Sequence, residues 1–180
     1  EQDALSENAF DNAYEWYTSG PRQRLQPGGS IVIVMTRWSE KDLTGKLMKA
    51  QTEPKADKWD VIDFSDGLPS DTILKVEYYN DMIYLATMNG LATVSRLTNN
   101  PIRTYFHSLN RGKIFDMSFS GKYLYLLNDI GLIKMDVDIE NYSILSNERF
   151  NKIDIKDSTI VLLKNDNLYL LENDSNLELL

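Results

Sequence analysis

Thr36 and Arg37 are the residues whose types and placing could do chemistry. They lie in the stretch Leu25 to Asp42, which reads LQPGGSIVIVMTRWSEKD. The Ile and Val run from Ser30 to Met35 has the pattern of a strand buried on both faces of a parallel sheet. Thr36-Arg37-Trp38 then sets a hydroxyl, a fixed positive charge and an indole at the carboxyl end of that strand, where ligands sit in open α/β sheets.

The elements that must hold these residues follow from pattern. Ser39 reads as a helix N-cap with Asp42 as its capping-box partner. A helix from Glu40 to about Gln51 puts Leu43, Leu47 and Ala50 on one face. Gly45 lies inside it, at a cost of about 1 kcal/mol relative to Ala. An earlier helix, capped by Ser6 and running to about Ser19, aligns Phe10, Ala13, Tyr14 and Tyr17, and Gly20-Pro21 ends it. Trp59 to Phe64, WDVIDF, alternates apolar and acidic residues and reads as a strand. Helix, strand, helix, strand implies a parallel sheet with helices packed on it.

Residues 1–64 resemble the ATPase domain of the terminase large subunit of T4-like bacteriophages, the motor that packages DNA. The matching text is DALSENAFDNAYEWYTSGPRQRL, QPGGSIVIVMTRWSEKDLTGKL and WDVIDF. In that family the strand ending in Met35-Thr36-Arg37 resembles the coupling motif. The resemblance implies Thr36 as the residue that senses the γ-phosphate, with Arg37 beside it, ATP and Mg²⁺ as the family's cofactors, and portal, small terminase and DNA as partners in the host cytoplasm. The pattern departs from the family elsewhere. The phosphate-loop motif with its Lys is absent from the 180 residues, as is the apolar run ending in two acids that would hold Mg²⁺. No cofactor is therefore expected to bind, and the chain alone is expected not to hydrolyse ATP.

Composition narrows the classes further. The net charge is −8 and no basic block occurs, which argues against broad nonspecific nucleic-acid binding. With no cysteine and one histidine, His107, disulfides, thiolate metal sites and His-based metal clusters are excluded. No apolar run reaches membrane-spanning length, and EQDALSENAF lacks the pattern of a signal peptide. The sequence begins without Met, so a fragment or a processed form is expected.

From Phe64-Ser65 onward the text changes to short alternating strands separated by Asn, Asp and Gly. Thr72 to Ser95 aligns without a gap on Lys113 to Asp136, at an offset of 41 residues. Ile73 matches Ile114, Leu85 matches Leu126, Gly90 matches Gly131 and Leu91 matches Leu132. A weaker third copy spans Ile153 to Glu172. In the first unit the strands are Ile73 to Tyr79, Met82 to Met88, Leu91 to Leu97 and Ile102 to His107, with Asn80-Asp81 and Asn89-Gly90 as hairpin turns. Four strands repeating at about 40 residues is the pattern of a β-propeller blade. Gly67, Leu68, Pro69, Ser70, Thr87, Asn89, Gly90 and Leu91 carry a resemblance to the propeller repeats in sensor regions of bacterial two-component regulators.

Other polar features read as structure. Gly28-Gly29 precedes a strand instead of a helix N-terminus, which makes it a turn. Arg22 and Arg24 read as solvated. Asp136, Asp138 and Glu140 lack the glycine a calcium loop requires and read as a strand edge or loop. His107 reads as structural or exposed, and Tyr78, Tyr79, Tyr84 and Tyr125 as sheet packing.

The expected fold is an α+β chimera. A partial α/β P-loop-type ATPase segment, 1–64, precedes an incomplete β-propeller-like array of antiparallel blades, 65–180, with two blades and a partial third. The expected function is that of a terminase fragment inactive by itself. The alternative is a non-enzymatic β-propeller interaction or sensor module. Open strand edges are expected to allow self-association.

Overall fold

Alternating side chains and Asn-Asp turns carry most of the chain into antiparallel hairpins. The computed structural model describes residues 7–35, 39–62, 66–95, 103–105, 112–157 and 159–180. The chain divides into two units, Glu1–Val61 and Ile62–Leu180.

The first unit holds two short helices, α1 (Glu7–Ser19) and α2 (Leu43–Ala50), with a 3-10 turn at Arg22–Arg24. Phe10 and Tyr17 of α1 and Leu47 of α2 are its buried apolar residues, and Trp59 meets Tyr17 edge to face at 5.7 Å. Asp42, not Ser39, is the N-cap of α2. Its Oδ1 accepts from the Gly45 amide at 2.9 Å, and its Oδ2 accepts from the Ser39 amide at 3.2 Å. The helix therefore starts three residues later than its acidic and hydroxyl residues suggest, because the Asp42 carboxylate reaches the Gly45 amide of the first turn.

The expected α/β sheet does not form. Neither Ile31–Met35 nor Trp59–Ile62 is a strand, and Asp63 and Phe64 lie outside the described residues. Val32 is 49% and Val34 45% exposed, the reverse of a strand buried on both faces. A strand persists only where neighbours take up its backbone hydrogen bonds and its apolar faces, and neither run has such a neighbour among the described residues of this unit. The P-loop-type α/β fold class is thus replaced by a mostly antiparallel β protein with two short helices.

The second unit is three four-stranded antiparallel sheets. Sheet 1 is β1 (Ile73–Tyr79), β2 (Met82–Thr87), β3 (Gly90–Ser95) and β4 (Arg103–Tyr105), in that order. Sheet 2 is β5 (Asp116–Ser120), β6 (Tyr123–Leu127), β7 (Leu132–Asp136) and β8 (Asn141–Ser146). Sheet 3 is β9 (Lys152–Lys156), β10 (Thr159–Lys164), β11 (Asn167–Glu172) and β12 (Asn176–Leu179), so the third copy has four strands. Each sheet is a meander of sequential hairpins. Asn80-Asp81, Asn165-Asp166 and Asn173-Asp174 all have positive φ, between 48° and 64°, the conformation a two-residue type I′ turn demands.

The sheets stack, and the repeat offset decides which residue faces which neighbour. Tyr84, Ala86 and Leu91 of sheet 1 pack against Met117, Leu124, Leu126 and Ile133 of sheet 2. Tyr125, Leu127 and Leu132 of sheet 2, at the same positions 41 residues on, pack against Ile153, Ile160, Leu162 and Leu171 of sheet 3. Strand β6 thus sends alternate residues into two cores, as a period of two requires. Each fully buried Leu contributes about 1.5–3 kcal/mol.

Candidate functional site

Thr36 and Arg37, the sequence's leading candidates, lie outside the described residues, as does His107. The features around them are structural. Gly28 has φ 82° and the Gly29 amide donates to the Gln26 carbonyl at 2.9 Å, closing a turn. Arg22 is an ion-pair partner: its Nε and Nη2 donate to the two oxygens of Asp57 at 2.5 and 3.2 Å. That hydrogen bond holds the Asp57 carboxyl below its ordinary value; burial opposes it, and the charge of Arg22 adds a smaller lowering. A groove of 290 Å³ lies between α1 and α2, lined by Phe10, Asp11, Glu40, Lys41, Gly45, Lys46 and Lys49. One of its lysines, Lys46, is bonded to Asp11.

The polar residues of the sheet unit form two built arrangements. The first lies where the leading strands β1, β5 and β9 approach one another. Lys75, Asp116 and Lys152 occupy the same position in the three sheets, at offsets of 41 and 36 residues. The Asp116 carboxylate is 3% exposed as a residue, with Lys75 Nζ at 3.6 Å and Lys152 Nζ at 3.8 Å. Its Oδ1 accepts from the Met117 amide at 3.1 Å, and its Oδ2 accepts from the Ile153 amide of the next sheet at 3.2 Å. A buried carboxylate needs paired charge and hydrogen bonds to offset its lost hydration. Asp116 has both, and it spends them joining three sheets.

The second arrangement joins sheet 2 to sheet 3. The Tyr125 hydroxyl donates to Asp174 Oδ1 at 2.9 Å, and Lys134 Nζ is bonded to Asp174 Oδ2. Lys134 also sits over the Tyr123 ring, 4.0 Å from its centre, a cation–π contact. Burial pushes the Tyr125 hydroxyl above its ordinary value, and the bond to Asp174 adds to this. Burial alone would lower Lys134, but its hydrogen bonds to Asp174 and Tyr125 outweigh it and raise the ammonium.

Turn chemistry accounts for two further buried polar side chains of the sheets, whereas the hydroxyl of Thr93 in β3 is buried without a hydrogen-bond partner. Thr87 and Asn128 are equivalent positions at the 41-residue offset. Thr87 Oγ1 donates to the Gly90 carbonyl at 2.8 Å and accepts from the Asn89 amide at 3.1 Å. Asn128 Oδ1 accepts from the Ile130 and Gly131 amides at 2.8 and 3.2 Å. Two different side chains thus fold the same turn. Of the tyrosines, Tyr84 and Tyr125 are buried and Tyr79 stacks on Phe119 at 5.0 Å, whereas Tyr78 is exposed and donates to Asp81. Asp136 pairs with Lys122 at 2.7 Å and accepts from the Asp138 amide, a strand end and its turn. No group of three potential metal ligands occurs among the described residues, and no helix among them is long and apolar enough to cross a membrane.

The Lys75–Asp116–Lys152 set was missed in the sequence. Its signal was present: aligning the three copies places Lys, Asp and Lys in one column, and opposite charges in a column are contacts waiting for a stack.

No family model matches the chain, and no curated protein matches it. Solved structures do. The PorZ protein of Porphyromonas gingivalis, a bacterial surface component of the type-IX secretion system, aligns at 19% identity over 61% of this chain and 16% of that one, with a TM-score of 0.50. The N-terminal domain of Nup159 aligns at 17% identity over 61% of this chain and 30% of that one, with a TM-score of 0.45. A S. cerevisiae complex of Dbp5 with Nup159 and Gle1 aligns at 18% identity over 60% and 29%, with a TM-score of 0.45. The chain therefore spans less than a third of the length of each of these solved chains. None of these likenesses is to a terminase. At such identity the PorZ likeness is one of fold, an array of antiparallel sheets compatible with propeller-like repetition.

Proposed function

We propose that the sheet unit is a non-enzymatic, propeller-like interaction module. One observation carries this reading. The buried polar side chains Thr87, Asp116 and Asn128, together with the Tyr125–Lys134–Asp174 network, form turns or link one sheet to the next. Apart from the Thr93 hydroxyl, these buried polar groups hold the repeated units in register. Recognition is left to the outer faces, loops and edges, as in other repeat proteins.

The test is a phosphate-release assay on the full chain with ATP and Mg²⁺, beside calorimetric titration with the same nucleotide. The module reading expects neither turnover nor saturable heat. Robust turnover by the purified chain would overturn it.

A further inference from the structure

We propose that the end of sheets 2 and 3 centred on Phe115 is a binding site for the side-chain carboxylates of an acidic peptide. The repeat brings the site together. Lys113 and Arg149 are equivalent residues, 36 positions apart, each in the connection that leads into its sheet. Both converge on one ring. The Arg149 guanidinium lies 4.4 Å, and the Lys113 ammonium 5.3 Å, from the centre of Phe115. Phe115 is itself fixed: it packs on the core between sheets 2 and 3, and its amide donates to the Leu127 carbonyl at 2.8 Å. The other copies do not carry these residues. Thr72 and Leu74 hold the positions of Lys113 and Phe115 in sheet 1, and Asn151 holds that of Phe115 in sheet 3.

The arrangement is prepared for a carboxylate. A guanidinium held against a ring keeps its N–H donors at its own edge, where a carboxylate accepts them. The ring contact also places the cation before a ligand arrives, which lowers the ordering cost of binding. Lys113 makes no ion pair among the described residues. Arg149 makes one, and it shows which group the site accepts: Asp129, at the tip of the turn between β6 and β7, brings Oδ1 to 3.3 Å from Arg149 Nη2. The two side chains are 62% and 60% exposed, so this pair is solvated and holds weakly. An incoming carboxylate can take the place of Asp129 at Arg149, with Lys113 as a second cation beside it.

Charge also selects the occupant. Two cations without a wider basic patch match carboxylates a few residues apart on a peptide. They fall short of the row of phosphate contacts that a nucleic acid needs. The net charge of −8 repels an acidic partner at long range. That field is screened beyond about 10 Å at 0.1 M ionic strength, so recognition is decided at the contact itself.

This inference rests on reading the sheets as an interaction module, and the two fail separately. A chain that ignores the peptide overturns the site alone, whereas ATP turnover overturns the module reading. The experiment is fluorescence anisotropy of a rhodamine-labelled oligoglutamate peptide titrated with the full chain. Saturable binding is expected. Arg149→Ala is expected to weaken it about tenfold, as the loss of a charge-assisted hydrogen bond does. Asp129→Asn removes the internal competitor and is expected to tighten binding about threefold. Both side chains are exposed, so the variants should keep the fold, which circular dichroism checks. Absence of saturable binding, binding indifferent to Arg149→Ala, or an Asp129→Asn chain that binds more weakly would overturn the proposal. So would tighter binding of a single-stranded oligonucleotide than of the peptide.

Discussion

The Tyr125 hydroxyl reaches 2.9 Å across a sheet boundary to Asp174, a residue 49 positions later in the hairpin turn between β11 and β12. Lys134 closes the same link from the ammonium side. Tyr125→Phe keeps the ring in its core and removes only the hydroxyl, so a loss of about 1 kcal/mol is expected in urea denaturation. A double-mutant cycle with Asp174→Asn should show coupling; strict additivity of the two losses would argue that the link carries no energy.

The same link gives a pH dependence. Tyr125 and Lys134 are both held above their ordinary values of 10.0 and 10.5. A raised group contributes stability that is complete below its unfolded value and is lost as pH rises through its folded value. Stability should therefore decline on the alkaline side, beginning near those ordinary values. Tyr125→Phe combined with Lys134→Met should flatten the decline in thermal melts. An unchanged alkaline limb in the double variant would place its origin elsewhere.

Gly131 has φ 144°, and a Cβ there would sit 2.0 Å from the Ser146 carbonyl oxygen. Gly131→Ala should cost roughly 2–3 kcal/mol, from strain and from displacing β8. Gly45 makes the contrary case in a helix. Propensity alone favours Ala there by about 1 kcal/mol, yet the added Cβ would meet the Glu40 carbonyl oxygen at 2.0 Å. Gly45→Ala is expected to destabilise, and a raised melting temperature would show that the helix entry yields easily.

Leu126 and Leu168 test burial at two points of the same repeat. Leu126 is 0% exposed, between sheets 1 and 2, and Leu168 of sheet 3 is 47% exposed. Leu126→Ala should cost about 2–5 kcal/mol, whereas Leu168→Ala, measured where the chain is monomeric, should stay within about 0.5 kcal/mol. Equal losses would mean that the face of sheet 3 is already covered.

Asn128 supplies the acceptor for two amides of its turn. Asn128→Ala leaves them without that acceptor and should cost about 1–3 kcal/mol. Asn128→Thr imports the residue that folds the equivalent turn at Thr87 and should recover part of the loss. Chemical denaturation of the three proteins side by side decides it.

Within residues 66–180 much was legible in the sequence. Strand β1 is the run Ile73–Tyr79 that alternation indicates, and the turn at Asn80-Asp81 stands where turn chemistry puts it, whereas the turn expected at Asn89-Gly90 falls one residue earlier, at Met88-Asn89, because Gly90 pairs with Thr87 as the first residue of β3. Alternation and turn residues act over a few positions, so local text suffices to place a hairpin. The 41-residue offset went further, because residues equivalent in sequence occupy equivalent places in the stack. Leu85 and Leu126, for example, both face away from the sheet that follows.

The first unit went the other way. Ile31–Met35 has the composition of a buried strand, but composition cannot supply neighbouring strands, and Val32 and Val34 stand exposed. Asp42 displaced Ser39 as helix cap because a cap is settled by which oxygen reaches the free amides. By itself the sequence determined the hairpins, their turns and the repeat that spaces them, all effects of nearest neighbours. Only the tertiary structure decided that Lys75, Asp116 and Lys152 converge, that Tyr125 meets Asp174, and that Leu168 is open where Leu91 and Leu132 are covered. Those facts depend on one sheet being placed against another, and such packing is a property of pairs of surfaces rather than of any single stretch of chain.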